Sequence, residues 1–109
     1  MRPIRCSYEK SGRLHADNPN HPGVTEDDVR AVLTNLAYVE VDAGKVWKKY
    51  ATGVCSGRYR FLTVVYVDKK SELVAITAYP ASARSRRLYR RWIAGKEESK
   101  LWIPARPTE

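Results

Sequence analysis

Apolar residues follow two different periods along this chain, and the first is helical. After Thr25, four apolar residues recur with the spacing of an amphipathic helix. They are Val29, Val32, Leu33 and Leu36. Thr25 occupies the position of an N-cap, and the acidic residues 26–28 suit the positive end of a helix dipole. The pattern predicts a helix that begins at Thr25 and packs these four apolar residues into the core.

Most other apolar segments alternate with a period of two, which is typical of strands. They predict a short strand within residues 1–8 and further strands over residues 38–41, 46–55, 59–67 and 73–79. Short links join the last three, so they can pair as an antiparallel meander. By strand parity Tyr50 shares a face with Lys48. Tyr66 likewise shares a face with Arg60, so both tyrosines are expected on a basic side of the sheet.

A second helix is predicted after the meander. Pro80 ends the last strand, Ser82 is placed to cap a helix that reaches about Ile93, and Gly95 is the expected stop. Besides an apolar stripe, this helix carries five arginines: Arg84, Arg86, Arg87, Arg90 and Arg91. Guanidinium groups fit phosphate oxygens better than ammonium groups do, so the helix is predicted to contact phosphate.

Together these elements predict one α+β domain over residues 1–93. Its antiparallel sheet has four to five strands, with one helix before the meander and the Arg-rich helix after it. A chain of 109 residues with 43% apolar content can bury one core. Residues 94–109 are expected to form a C-terminal tail whose apolar run, 101–104, docks on the domain or on a partner.

Charge is distributed unevenly along the chain. The net charge is +8, but residues 1–44 hold five basic and seven acidic residues, whereas residues 45–109 hold fifteen and five. A polyanion would gain affinity from counterion release along such a surface, which favours nucleic acid as a partner. The alternative is a basic face that serves only solubility.

Several other classes of function are not expected. The sequence shows no apolar run long enough to cross a membrane and no apolar leader, so we expect a cytoplasmic protein without membrane contact. Cys6 and Cys55 fit no zinc or redox spacing. Neither a Gly-rich phosphate loop nor a metal-ligand cluster is visible, so no cofactor and no metal are expected.

Motifs over residues 12–92 resemble a known family. His15-Ala16 precedes a Gly23-Val24-Thr25 turn that opens an acidic helix start, and a strand ending in Tyr79-Pro80 precedes the arginines. In this order the motifs resemble small bacterial domains with an HA…RGI…EEV pattern, relatives of the BrnT toxins, whose fold is similar to that of RelE and ParE toxins. This chain departs from the pattern at Tyr79-Pro80, where those domains tend to have two arginines.

The resemblance implies both a fold and an activity. It implies a sheet with helices packed on one face, and an RNA-cleaving toxin that a cognate, acidic antitoxin neutralises. The RNA could be free or bound to the ribosome. A toxin of this kind would be a metal-independent endoribonuclease. The alternative is a non-catalytic module of the same fold that binds nucleic acid or protein.

Metal-free RNA cleavage needs a base, a cation near the phosphate and an acid. Side chains that can fill these roles are His15 or His21 as base, Arg60 and Arg84 as cations, and Tyr79 or Lys49 as proton carriers. His15 and Arg84 are expected to meet over one phosphate, although a histidine in a turn is often only structural. The residues predicted to bind nucleic acid without reacting are Lys48, Tyr50, Arg58, Arg86, Arg87, Arg90 and Arg91.

Overall fold

The computed structural model describes the backbone of residues 2–102 and the side chains of residues 2–96. The elements, in chain order, are β1 (Ile4–Cys6), α1 (Glu26–Thr34), β2 (Tyr38–Val41), β3 (Lys48–Val54), β4 (Phe61–Asp68), β5 (Leu73–Pro80) and α2 (Ala83–Trp102). The α+β class, the five strands and the two helices expected from the sequence are therefore present. Within the described residues, no helix is both long and apolar enough to cross a membrane.

The five strands form one mixed sheet with the order β1-β5-β4-β3-β2. Strands β2 to β5 are antiparallel neighbours, as the short links predict. β1 instead runs parallel to β5, with Ile4 opposite Leu73 and Cys6 opposite Ala75. The expectation of a wholly antiparallel sheet is therefore wrong. A parallel pair needs a long crossover, and here the whole chain between β1 and β5 supplies it.

Helix α1 closes one face of the sheet. The Thr25 side chain accepts a hydrogen bond from the Asp28 amide, and the Asp28 carboxylate accepts one from the Thr25 amide, which together form a capping box. Val29 and Val32 are fully buried. They belong to the core cluster that also holds Leu62 of β4. The predicted core position of Leu36 is wrong, because α1 ends at Thr34 and leaves Leu36 half exposed.

Helix α2 lies over β2 and β3 on the opposite face. Phe61, which precedes Leu62 and so points to the other side of β4, meets the ring of Tyr89 edge-on at 6.0 Å. Tyr38 meets Trp92 in the same way at 6.3 Å. The helices therefore flank the sheet, and the expectation that both pack on one face is wrong. β4 carries apolar residues on both of its sides, so each side needs cover.

The Arg-rich helix starts as expected and ends later. The Ser82 hydroxyl accepts a hydrogen bond from the Ser85 amide, as a helix cap does. The helix then passes through Gly95 and reaches Trp102, so the expected stop at Gly95 is wrong. A single glycine costs a helix only about 1 kcal/mol relative to alanine, which the neighbouring residues outweigh. The run 101–104 was expected to dock on the domain or on a partner, and its side chains lie outside the described part of the chain.

Candidate nucleic-acid interface

A polar cavity of about 300 Å³ lies between the sheet and the start of α2, and we call it the α2 cavity. Its polar lining includes Glu40, Tyr50, Thr63, Tyr79, Arg84 and Ser85. Four strands and one helix contribute to it. Thr52, Thr63 and Tyr79 stand opposite one another on β3, β4 and β5, so their side chains share the face that α2 covers.

The floor of the α2 cavity consists of two threonines. The hydroxyl oxygens of Thr52 and Thr63 are 2.8 Å apart, and either hydroxyl can donate to the other. Each residue is only 2% exposed. Polar groups with so little contact with bulk water need hydrogen-bond partners, and each of these hydroxyls finds one in the other.

Two tyrosines stand along the cavity. The Tyr50 hydroxyl donates to Asp42 at 2.8 Å, which raises the pKa of Tyr50 and lowers that of Asp42. The amides of Gly44 and Lys45 also donate to the Asp42 carboxylate. Burial raises the pKa of Tyr79, and the nearby Tyr50 and Glu40 raise it further. Tyr79 is therefore a protonated phenol at neutral pH, able to donate a hydrogen bond.

An ion pair stands at the mouth of the cavity. The guanidinium of Arg84 donates to both carboxylate oxygens of Glu40, at 3.3 and 3.1 Å. This hydrogen bonding raises the pKa of Arg84. The Arg84 side chain is 66% exposed and that of Glu40 is 33% exposed. Because water screens an exposed pair of this kind, a ligand can displace it at little cost.

The arginines of α2 form a basic surface beside the cavity. All five are exposed. Of these five, Arg84 alone has a carboxylate partner among the side chains described. The Arg90 Cζ lies 5.1 Å from the centre of the Phe61 ring, and the Lys48 Nζ lies 5.7 Å from the centre of the Tyr50 ring. The predicted grouping of Arg86, Arg87, Arg90 and Arg91 on one exposed helix is therefore present, and Lys48 and Tyr50 extend it onto the sheet.

His15 is not part of this group. It lines a different cavity of about 270 Å³, next to Ser7 and Thr77, and its Nδ1 is 2.8 Å from the Ser7 hydroxyl. The expectation that His15 and Arg84 border one site is therefore not met. His21 lies closer to the α2 cavity, with its ring 6.4 Å from that of Tyr79. Its Nδ1 is buried and has no hydrogen-bond partner within the described residues.

Four other predicted residues lie outside the α2 cavity. Lys49 points to the α1 side of the sheet and pairs with Asp68 at 2.9 Å. Arg60 packs over Phe61 at 6.0 Å, and Arg58 packs over Tyr59 at 5.8 Å. Neither arginine lines the cavity. Tyr66 is only 7% exposed and belongs to the core, so its expected place on a basic side of the sheet is wrong.

Sequence reasoning missed much of the cavity. Glu40, Thr52 and Thr63 were not among its candidates, although they supply the ion pair and the floor. The available signal was a polar residue inside each apolar strand: Thr63 interrupts the run 61–67, and Glu40 interrupts 38–41. In the part of the chain that the structure describes, no group of three or more side chains is placed to hold a metal ion.

No protein-family model, curated protein or solved structure matches this chain. The likeness to BrnT and RelE toxins therefore rests on short motifs alone. The α2 cavity and the basic surface beside it are the features from which a function can be argued.

Proposed function

We propose that this protein binds single-stranded RNA along α2 and in the α2 cavity. The observation that carries the proposal is the row of exposed arginines, four of them without a carboxylate partner in the described side chains, next to a polar cavity with aromatic walls. Arginines free of carboxylates are available for phosphate, and each contact releases counterions from the nucleic acid.

The aromatic walls favour a single strand over a duplex. In duplex RNA the bases are stacked and paired, so proteins recognise it mostly by shape. Unpaired bases can instead enter a cavity and stack on aromatic side chains, as Tyr50 and Tyr79 would allow. The cavity lies directly at the start of the arginine row, so one strand can fill both.

Removing three arginines tests this proposal. The variant Arg86→Gln, Arg87→Gln, Arg90→Gln is expected to bind a labelled single-stranded RNA more weakly in fluorescence anisotropy. The slope of log affinity against log salt should fall by up to about two, because each lost phosphate contact with a single strand lowers it by about 0.7. The fold should persist, since all three side chains are exposed.

A charge-matched control separates α2 from overall charge. Lys10, Lys69 and Lys70 are also exposed and lie on other segments. Changing these three to glutamine removes the same charge and should leave the salt slope nearly unchanged. Equal losses in both variants, or no RNA binding by the unchanged protein, would contradict the proposal.

A second candidate function is metal-independent cleavage of the bound RNA. The observation that favours it is the grouping of Tyr79 and Arg84 in one cavity, with His21 beside Tyr79. The Nδ1 of His21 has no hydrogen-bond partner among the described residues. His21 could take the proton of the attacking 2′-hydroxyl, Arg84 could stabilise the phosphate, and Tyr79 could protonate the leaving 5′-oxygen. In this case the protein would be a toxin, and an acidic antitoxin would cover the arginines.

Induced expression in a bacterial host tests the second candidate. The unchanged protein is expected to stop growth and to fragment RNA. The Tyr79→Phe variant should do neither, although the purified variant still binds RNA. Normal growth with intact RNA would leave only the binding function.

A further inference from the structure

The floor of the α2 cavity holds one more hydroxyl proton than its own hydrogen bond uses. Thr52 and Thr63 each carry one hydroxyl proton, and the 2.8 Å bond between them uses one. Neither hydroxyl has another hydrogen-bond partner among the described residues, and both residues are almost completely buried. One O–H group therefore lacks a protein acceptor at the bottom of a cavity, where a ligand atom can accept from it.

The charges at the mouth restrict the kind of ligand. A simple anion would suit Arg84 but would meet the carboxylate of Glu40, and a simple cation would meet the reverse conflict. The Asp42 carboxylate is already occupied by three donors, whereas Arg84 is the single partner of Glu40 among the described residues. A fitting ligand must therefore donate hydrogen bonds to Glu40 and also present an anionic group to Arg84.

We propose that the α2 cavity accepts one unpaired guanine nucleotide of RNA. Glu40 accepts hydrogen bonds from N1–H and the N2 amino group of the base, and Arg84 transfers from Glu40 to the adjoining phosphate. This proposal rests on the RNA-binding function proposed above and names the nucleotide that its cavity selects. The volume of about 300 Å³ lies at the lower end of the range for small-ligand sites, which suits a single nucleotide.

Guanine is the base whose chemistry matches this lining. On its Watson–Crick edge two neighbouring donors stand side by side, and they fit the two oxygens of one carboxylate. Adenine and cytosine each offer a single amino group there, and uracil offers a single ring N–H. Guanine also carries O6 and N7 as acceptors, which the spare threonine hydroxyl and the protonated Tyr79 phenol can serve. Tyr50 and Tyr79 supply aromatic surface beside the base.

Binding then exchanges one set of partners for another. In the free protein Arg84 and Glu40 neutralise each other. In the complex Arg84 pairs with phosphate and Glu40 pairs with the guanine edge, so neither charge is left without a partner. A nucleotide without the two donors would draw Arg84 away from Glu40 and leave one oxygen of the Glu40 carboxylate without a hydrogen bond. The ion pair therefore discriminates against other bases.

The test compares four short uridine oligonucleotides that differ at one central position. That position holds guanosine, inosine, adenosine or 7-deazaguanosine. Inosine lacks the N2 amino group, and its binding should be roughly tenfold weaker, as expected for the loss of one hydrogen bond to a charged acceptor. Adenosine should bind no better than inosine. 7-Deazaguanosine keeps the Watson–Crick edge and lacks only the neutral N7 acceptor, so it should lose less affinity than inosine does.

The variant Glu40→Gln gives a result that a structural role would not produce. Its amide places a donor where one carboxylate oxygen stood, so the preference for guanosine over inosine should disappear. Affinity for the guanosine and 7-deazaguanosine oligonucleotides should fall to about the level of inosine, because one hydrogen bond to a charged acceptor is lost. Affinity for the inosine and adenosine oligonucleotides should rise or stay level, because a negative charge is removed and Arg84 is freed. The control is Glu72→Gln, since Glu72 is held by Arg5 in a similar forked pair away from the cavity. This control should keep the preference.

Each outcome decides between the two proposals. A guanosine preference that Glu40→Gln abolishes and Glu72→Gln retains supports the guanine site. RNA binding with equal affinity for guanosine and inosine overturns the guanine site and leaves the RNA-binding function standing. If the unchanged protein binds none of the four oligonucleotides and also fails to bind single-stranded RNA of greater length, both proposals are overturned.

Discussion

The two faces of the sheet are built from alternate residues of the same strands, yet they differ in chemistry. Leu62 points to the α1 side, where it is fully buried in an apolar cluster. Thr63, its neighbour, points to the α2 side, where it is equally hidden but forms the floor of a polar cavity. Burial alone therefore does not mark the core. The α1 face therefore holds the apolar core, whereas the α2 face holds buried polar groups.

The largest expected effect lies on the α1 face. Leu62→Ala removes a fully buried side chain from the core cluster and should lower the free energy of unfolding by about 2–5 kcal/mol. Urea unfolding followed by circular dichroism measures this change. RNA affinity of the folded fraction should be nearly unchanged, because Leu62 does not line the α2 cavity. A loss below about 1 kcal/mol would contradict the view that this face carries most of the stability.

A smaller loss is expected where the 56–58 turn approaches α1. A methyl group on Gly57 would overlap the Asp28 carboxylate. Asp28 would have to move away from the Thr25 amide, so Gly57→Ala should break the capping box and cost about 1–2 kcal/mol. Gly12→Ala would not be a clean control, since Gly12 has a positive φ, whereas Gly95 meets nothing within 4 Å. Gly95→Ala should therefore leave stability unchanged or raise it slightly.

The α1 face could be predicted from the sequence, because its signal is local and periodic. Val29 and Val32 repeat with the helical period, and Thr25 with Asp28 forms the cap that the residue types predict. Strand positions followed from alternation in the same way. The parallel pairing of β1 with β5 could not be predicted, since it depends on how distant segments meet and not on the pattern within either of them.

The α2 face was predictable only in part. The arginines are consecutive enough in sequence to be recognised as one helix surface, and Tyr79 and Arg84 do share a cavity. Glu40 pairs with Arg84, which is 44 positions away in the sequence, and no local pattern indicates such a contact. His15 was expected at the same site from motif order alone, and motif order does not fix which cavity a turn borders.

Thr63→Val tests the α2 face, as Leu62→Ala tests the α1 face. It keeps the shape of the side chain and removes one hydroxyl of the cavity floor, so stability should change by only about 1 kcal/mol. The Thr52 hydroxyl remains as one donor, so RNA affinity should fall several-fold when Thr52→Val is added and the floor keeps no hydroxyl. Thr77 lines the other cavity, so Thr77→Val is the matched control and should keep the affinity. If Thr77→Val lowered RNA affinity and the loss of the floor hydroxyls did not, the binding surface would lie at the His15 cavity instead.

The smallest expected effect is the response of the cavity edge to acid. The Tyr50 hydroxyl, with the amides of Gly44 and Lys45, lowers the pKa of Asp42 in the folded protein. The stability that this carboxylate contributes is complete above its unfolded pKa, near 4, and is lost as the pH falls through the lower folded value.

Urea unfolding at a series of pH values below about 5 should therefore show a steeper loss of stability in the unchanged protein than in Asp42→Asn. Glu72, whose pKa is lowered by Arg5, provides a contrast. Added salt should weaken the contribution of the Glu72 ion pair, because it screens the attraction between charges. The contribution of Asp42 should resist salt, since its main partners are neutral donors. If Asp42→Asn kept the full acid dependence, the hydrogen bonds that hold Tyr50 at the edge of the α2 cavity would not contribute to stability.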